Sequence, residues 1–103
     1  MKNNQLVRWN MSIEHQQAKR GGVFFEEENG QRIAEITYQW KDGSTIIADH
    51  TWVDPTLRGQ GLAKQMLAVL VHFARENQLK IVAKCAYVEM MFRRDKSLAD
   101  VMA

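Results

Sequence analysis

The sequence changes its hydrophobic period abruptly around residue 55, and that switch restricts the folds open to it. Residues 46–53, Ile-Ile-Ala-Asp-His-Thr-Trp-Val, are rich in β-branched and aromatic side chains and read as a strand. Pro55 ends it, because proline brings no N–H to a ladder and holds Asp54 extended. From Leu62 the apolar residues return at helical spacing, through Met66, Leu67, Leu70, Val71, Phe73 and Ala74. Between the two lies Arg58-Gly59-Gln60-Gly61-Leu62-Ala63, a glycine-containing loop feeding a helix N-terminus. Such a terminus presents free N–H groups and the positive end of the helix dipole, a ready site for an anion.

Two common glycine loops do not fit it. The dinucleotide fingerprint needs a third glycine where this chain has Lys64, and no Gly-Lys-Ser/Thr occurs to end a P-loop. The stretch does resemble the R/Q-x-x-G-x-G/A loop of the GCN5-related N-acetyltransferases, with Arg58, Gly61 and Ala63 at its fixed positions. In that family the loop amides hold the pyrophosphate of coenzyme A, and a side chain in place of glycine would keep the phosphates away. The flanks extend the likeness. His50-Thr51-Trp52-Val53-Asp54-Pro55 and Cys85-Ala86-Tyr87-Val88 resemble a subgroup of very short, single-domain acetyltransferase-like proteins, the YjdJ type. These carry a histidine before a T-[YFW]-V-P-type segment and a cysteine in a C-x-Y-[VI] segment.

The resemblance runs over roughly residues 13–103. It implies a mixed α+β fold of the acyl-CoA N-acyltransferase type, acetyl-CoA or coenzyme A as ligand, and transfer of an acetyl group to an amine on a small molecule or a peptide lysine. A non-catalytic acyl-CoA-binding sensor or scaffold is the alternative function. One departure stands near the C-terminus: many subgroup members carry Asn-Pro or His-Pro near Asp95-Lys96, and this chain has no proline there.

Composition narrows the remaining classes. At 103 residues there is room for one domain, read as residues 11–103 behind an N-terminal extension, residues 1–10. A chain of this size buries ~60–70% of its unfolded surface, enough for a core without staples. The single cysteine excludes an internal disulfide framework and suits a reducing compartment. No apolar run approaches the ~20 residues that span a bilayer, and the polar start lacks the apolar core of a signal peptide. A cytoplasmic protein, monomeric or weakly dimeric, away from membranes, is expected. The net charge of +2 comes from 14 basic and 12 acidic residues, and only Lys19-Arg20 and Arg93-Arg94 are paired cations. A nucleic-acid binder should show a basic stripe with stacking aromatics, which this is not. A slight positive excess suits a multiply anionic ligand. No metal-binding cluster is read.

In chain order, Leu6, Val7 and Trp9 dock on the domain, form an added strand, or fray. A short first strand from Ile13 turns at Lys19-Arg20-Gly21-Gly22. Residues 23–28 form a second, and Asn29-Gly30 signals a hairpin. The third strand, residues 32–41, places Ala34, Ile36, Tyr38 and Trp40 on one face and Glu35, Thr37 and Gln39 on the other. The fourth, Thr45–Val53, alternates likewise, with Ile46, Ala48, His50 and Trp52 together. A helix over residues 62–77, apolar round much of its circumference, leads to a strand over residues 80–85. That strand should return parallel to the fourth by a right-handed crossover. A second helix spans about residues 86–94, and Ser97-Leu98-Ala99-Asp100 resembles a capping box opening a last turn. The order is an antiparallel meander, then a βαβ unit, then a C-terminal helix. The paired N-terminal helices that cover the acceptor site in larger relatives have no room here, so the resemblance implies an open acceptor site.

Residues 58–64 are the candidate coenzyme-binding stretch: Arg58, Gly59, Gln60, Gly61, Leu62, Ala63 and Lys64, the amides for pyrophosphate and the cations for a charge-assisted contact. The plainer reading is a turn that needs glycine for its backbone alone. By the resemblance, Val53 offers its backbone to the pantetheine arm. His50 is either a buried, satisfied histidine or a general base near the thioester, since imidazole titrates close to neutral pH. Cys85, just before a helix start, is a small core residue or a thiol lining the site. A neighbouring parallel strand could bring His50 beside it, and a covalent acetyl-cysteine is then conceivable. Tyr87 either supplies a phenol for the departing thiolate, as in larger relatives, or caps the helix surface. His15 and His72 are expected at the surface.

Overall fold

The computed structural model describes residues 12–103; the segment carrying Leu6, Val7 and Trp9 and the boundary near residue 11 lie outside them. Five strands form one sheet in sequence order: β1 (Ile13–Gln17), β2 (Gly21–Glu28), β3 (Gln31–Asp42), β4 (Thr45–Val53) and β5 (Lys80–Ala83). The first three pairings are antiparallel, and β4 with β5 is parallel. Asn29 and Gly30, both at positive φ, close the β2–β3 hairpin. After β4 comes a 3₁₀ turn, Pro55–Leu57, then helix α1 (Leu62–Glu76); β5 is followed by helix α2 (Ala86–Arg94) and a 3₁₀ segment, Lys96–Val101. This is the mixed α+β order expected, with strand β5 two residues shorter than residues 80–85.

The core lies on one face of the sheet. Met66, Leu67, Leu70, Val71 and Ala74 of α1 pack on Phe24, Ala34, Ile36, Tyr38, Ile46 and Ala48, joined by Val88 and Phe92 of α2. A fully buried aliphatic such as Ile36 or Ile46 contributes about 1.5–3 kcal/mol, so this cluster is what holds the helices down. Helix α1 is amphipathic, with a wet stripe of Lys64, Ala68, His72, Arg75 and Glu76 exposed.

Alternation along β4 breaks at Asp49, with nothing in the local composition to mark it. Thr37 pairs with His50 but Tyr38 pairs with Ala48, so Asp49 is an extra residue, a β-bulge. Thr37 and Gln39 both donate to the Asp49 carboxylate, at 2.5 and 2.7 Å, and fasten it to β3. Ile46 and Ala48 remain in the core, and past the bulge Val53 takes up the core side. His50 and Trp52 therefore do not share a face with Ile46 and Ala48; the bulge turns them to the sheet's other side, with Glu35 and Thr37.

Two smaller expectations, on His15 and on the final turn, are also corrected. His15 is not a free surface residue: its ring stacks on Phe24 with centroids 3.9 Å apart, and its Nε2 lies 2.7 Å from the Tyr38 hydroxyl. Trp40 lies near the end of the core face and is 39% exposed. The final turn is capped by Asp95, which accepts from the Ser97 N–H and hydroxyl, rather than by Ser97. Asp100, the last residue of the expected capping box, instead accepts from Arg75 through both oxygens, at 2.9 Å each. This ion pair and a bridge from Met102 to Ile81 fix the C-terminal segment. No helix among the described residues is long and apolar enough to cross a membrane.

Candidate functional site

Strands β4 and β5 run together only from Thr45 to Ala48 against Lys80 to Ala83. Lys84 and Cys85 then both donate their N–H groups to the Ala48 carbonyl, at 3.0 and 2.9 Å, and the chain leaves the sheet into α2. Residues 49–53 of β4 continue with no strand beside them on that side among the described residues. The bulge at Asp49 adds local twist at the point where the strands part. A gap results, open along one edge of β4, able to receive an extended chain by backbone hydrogen bonds.

The loop after Pro55 leads into this gap. Asp54 accepts from the Thr56 N–H at 2.9 Å, which starts the 3₁₀ turn, and these hydrogen bonds hold its carboxyl below the usual carboxylate range. Gly59 and Gly61 sit at φ of +87° and +83°, left-handed values that other residues seldom adopt. Gly61 is the N-cap of α1, so no side chain caps the helix; its first bond is Gln65 N–H to the Gly61 carbonyl, 3.0 Å. The amides of Leu62, Ala63 and Lys64 are left for an outside acceptor. A Cβ on either glycine would meet no atom of the chain within 4 Å. Their bareness thus serves backbone conformation and whatever approaches from outside. An uncapped helix start of this kind can receive an anion, and Gln60 lies exposed beside it.

Two cations border it. Lys64 lines a cleft of about 150 Å³ between α1 and α2, with Leu67, Met91 and Asp95. It also lines a shallower hollow of about 370 Å³ with Gly61, Gln65 and Ala68. Arg58 is turned inward: its Nε donates to the Val53 carbonyl at 3.3 Å. The backbone oxygen expected to meet a pantetheine arm is thus taken by a side chain of the same loop.

Around the gap the sequence candidates divide into two groups. On the helix side, the Cys85 thiol donates to the Thr51 hydroxyl at 3.4 Å, and Tyr87 packs half-buried beside the core. Burial, and then the neighbouring Cys85, push the Tyr87 phenol above its ordinary value, so it stays protonated and able to donate. On the opposite side, His50 Nε2 lies 3.2 Å from Glu35 Oε2. Consecutive strand residues point to opposite faces. Since Thr51 faces Cys85, His50 faces away from it, and the expected His50–Cys85 neighbourhood does not form. His50 is not buried either; its side chain is 51% exposed.

Glu35 and Thr51 were not singled out by sequence. The alternation of β3 put Glu35 on the polar face, but only the bulge brings His50 to that face. His72 is exposed on α1, as expected. Among the described residues no group of histidines, cysteines and carboxylates could hold a metal ion.

Residues 23–101 match the sequence profile of a family described as GCN5-related N-acetyl-transferase. A GCN5-like protein from Staphylococcus aureus, solved in solution by NMR, superposes with a TM-score of 0.70 at 36% identity, over 89% of each chain. A GNAT family acetyltransferase from Elizabethkingia anophelis with acetyl-CoA bound gives a TM-score of 0.58 at 15% identity. That match covers 86% of this chain but 56% of the other. A ribosomal-protein-alanine N-acetyltransferase from Brucella melitensis gives 0.57 at 22% identity, over 84% of this chain and 66% of its own. Identities this low speak for the fold, and the chain spans only about half to two thirds of those two enzymes. No protein of curated function matches it.

Proposed function

The chain belongs to the GCN5-related N-acetyltransferases, acetyl-CoA-dependent enzymes, and from that premise we propose that it transfers an acetyl group to an amine, with residues 58–64 holding coenzyme pyrophosphate and His50 accepting the amine proton. The observation that carries this reading is the uncapped N-terminus of α1, entered through Gly59 and Gly61 and set beside the gap between β4 and β5.

Acetyl-CoA supplies an activated acyl thioester when bound. The amides at the start of α1 bind and orient its diphosphate, with Lys64 adding charge. Arg58 exchanges the Val53 carbonyl for a phosphate oxygen, which frees Val53 to hold the pantetheine arm as an added strand. An amine approaching from the face opposite the helices meets His50, which accepts the ammonium proton directly or through one water. The neutral amine then attacks the thioester carbon. Tyr87, kept protonated by burial, donates toward the leaving sulfur. Cys85 lines the site beside Thr51; attack on it is not required.

An exposed histidine placed beside the gap favours a catalyst over a binding-only sensor or scaffold, which needs no base there. Coenzyme A release, measured with a panel of amines, polyamines and lysine peptides, tests the proposal. Turnover lost in His50→Ala supports it. Turnover equal in His50→Ala removes the base assignment, and binding without turnover on any acceptor supports the sensor.

A further inference from the structure

Glu35 has one carboxylate oxygen on His50 and the other on a cation. Its Oε2 lies 3.2 Å from His50 Nε2, while Oε1 accepts from Arg32 Nη1 at 2.9 Å. The Arg32 guanidinium is in turn held over the Phe25 ring, 4.0 Å from its centroid. The carboxylate side chain is 21% exposed against 51% for the imidazole, so the anchor is better shielded than the group it holds. Register explains the meeting. Glu35 pairs with Trp52 and Thr37 with His50, which makes Glu35 and His50 diagonal neighbours across β3 and β4. They share a face only because of the extra residue Asp49.

We infer that Glu35 is a positioning residue for His50, fixing the imidazole as the tautomer protonated at Nε2 and leaving Nδ1 as the nitrogen that accepts the amine proton. A carboxylate accepts hydrogen bonds only, so the imidazole nitrogen facing it must be the one bearing hydrogen. The remaining nitrogen then has its lone pair free, and on an exposed side chain it is reachable by an incoming ammonium. The transfer balances simply. R–NH₃⁺ loses one proton to Nδ1, giving R–NH₂ and an imidazolium; Glu35 remains a carboxylate throughout. The charge that appears on His50 is stabilised at 3.2 Å, and Arg32 keeps the carboxylate in place before and after. Nothing in the composition or the motifs pointed to Glu35, since its partner reaches it only through the bulge.

The inference rests on His50 being the base, so the experiment separates the two. Imidazole ¹⁵N NMR on neutral His50 reads the tautomer without any substrate. The wild type is expected to carry hydrogen at Nε2, and Glu35→Ala to shift the population toward Nδ1–H. Steady-state kinetics with spermidine or a lysine peptide, whichever turns over, is expected to show kcat lowered roughly tenfold in Glu35→Ala with KM for acetyl-CoA unchanged. Glu35→Gln, of the same shape, keeps the fold while removing the charge, and is expected to lower kcat similarly. A tautomer that does not change in Glu35→Ala overturns the inference while leaving His50 as the base. A changed tautomer with kcat unaltered in both Glu35→Ala and His50→Ala overturns the base assignment, and the inference with it.

Discussion

His50 and Cys85 lie on opposite faces of the sheet. Cys85 reaches Thr51, the residue next to His50, with its sulfur 3.4 Å from the hydroxyl, while His50 reaches Glu35 on the other side. The thiol donates to a neutral hydroxyl, and the candidate base His50 is turned away from it. Cys85→Ala and Cys85→Ser are therefore expected to keep kcat within about threefold of the wild type, the size of a lost packing contact rather than a lost nucleophile. Intact-mass spectrometry after incubation with acetyl-CoA should show no acetyl adduct on Cys85. An adduct that disappears in Cys85→Ala, with activity lost in both variants, would restore the two-step route.

The bulge that separates those faces depends on Asp49, whose oxygens are held by Thr37 and Gln39. Asp49→Ala deletes both hydrogen bonds and is expected to cost about 1 kcal/mol, a Tm lower by several degrees. Because the bulge also aims His50, kcat should fall more than acetyl-CoA affinity. A normal Tm together with normal kcat would show that the bulge is set by backbone pairing alone.

His15 offers a separate test of packing. Burial against Phe24, Phe73 and Tyr38 lowers its imidazole below the ordinary value of 6.5. A depressed folded-state value means that the unfolded chain binds the proton first. The stability is then full above about pH 6.5 and is lost as pH falls toward the folded-state value. Tm is expected to drop between pH 7 and pH 5, before the carboxylates titrate. His15→Phe should be less stable at pH 7, from the lost bond to Tyr38, and should show a flatter dependence over the same window. An equal slope in wild type and variant would assign the effect to other groups.

Local signals made much of this architecture legible. The bounds of β4, from Thr45 to Val53, and of α2, from Ala86 to Arg94, coincide with the reading, because Gly43, Pro55 and the change of period mark them within a few residues. The loop of residues 58–63 was legible for the same reason. What escaped depends on pairing between distant segments. An extra residue in β4 leaves no trace in its own composition, so alternation put His50 with Ile46 when β3 puts it with Glu35. The burial of His15 is likewise supplied by Phe24, Tyr38 and Phe73, and Arg58 turning to the Val53 carbonyl is a contact within a loop whose sequence favours several conformations.

The proposed function stands on the glycine loop and the uncapped start of α1 holding the diphosphate of acetyl-CoA. Calorimetric titration of the folded protein with acetyl-CoA tests it most directly, beside Gly61→Val and Gly61→Asn. Asparagine tolerates the left-handed φ of +83° far better than valine, so it separates backbone strain from a side chain in the way of phosphate. Saturable binding by the wild type, no binding by Gly61→Val and weakened binding by Gly61→Asn are expected, with helical circular dichroism unchanged in both variants. Absence of binding to the wild type at millimolar ligand, or undiminished binding by both variants, would contradict it.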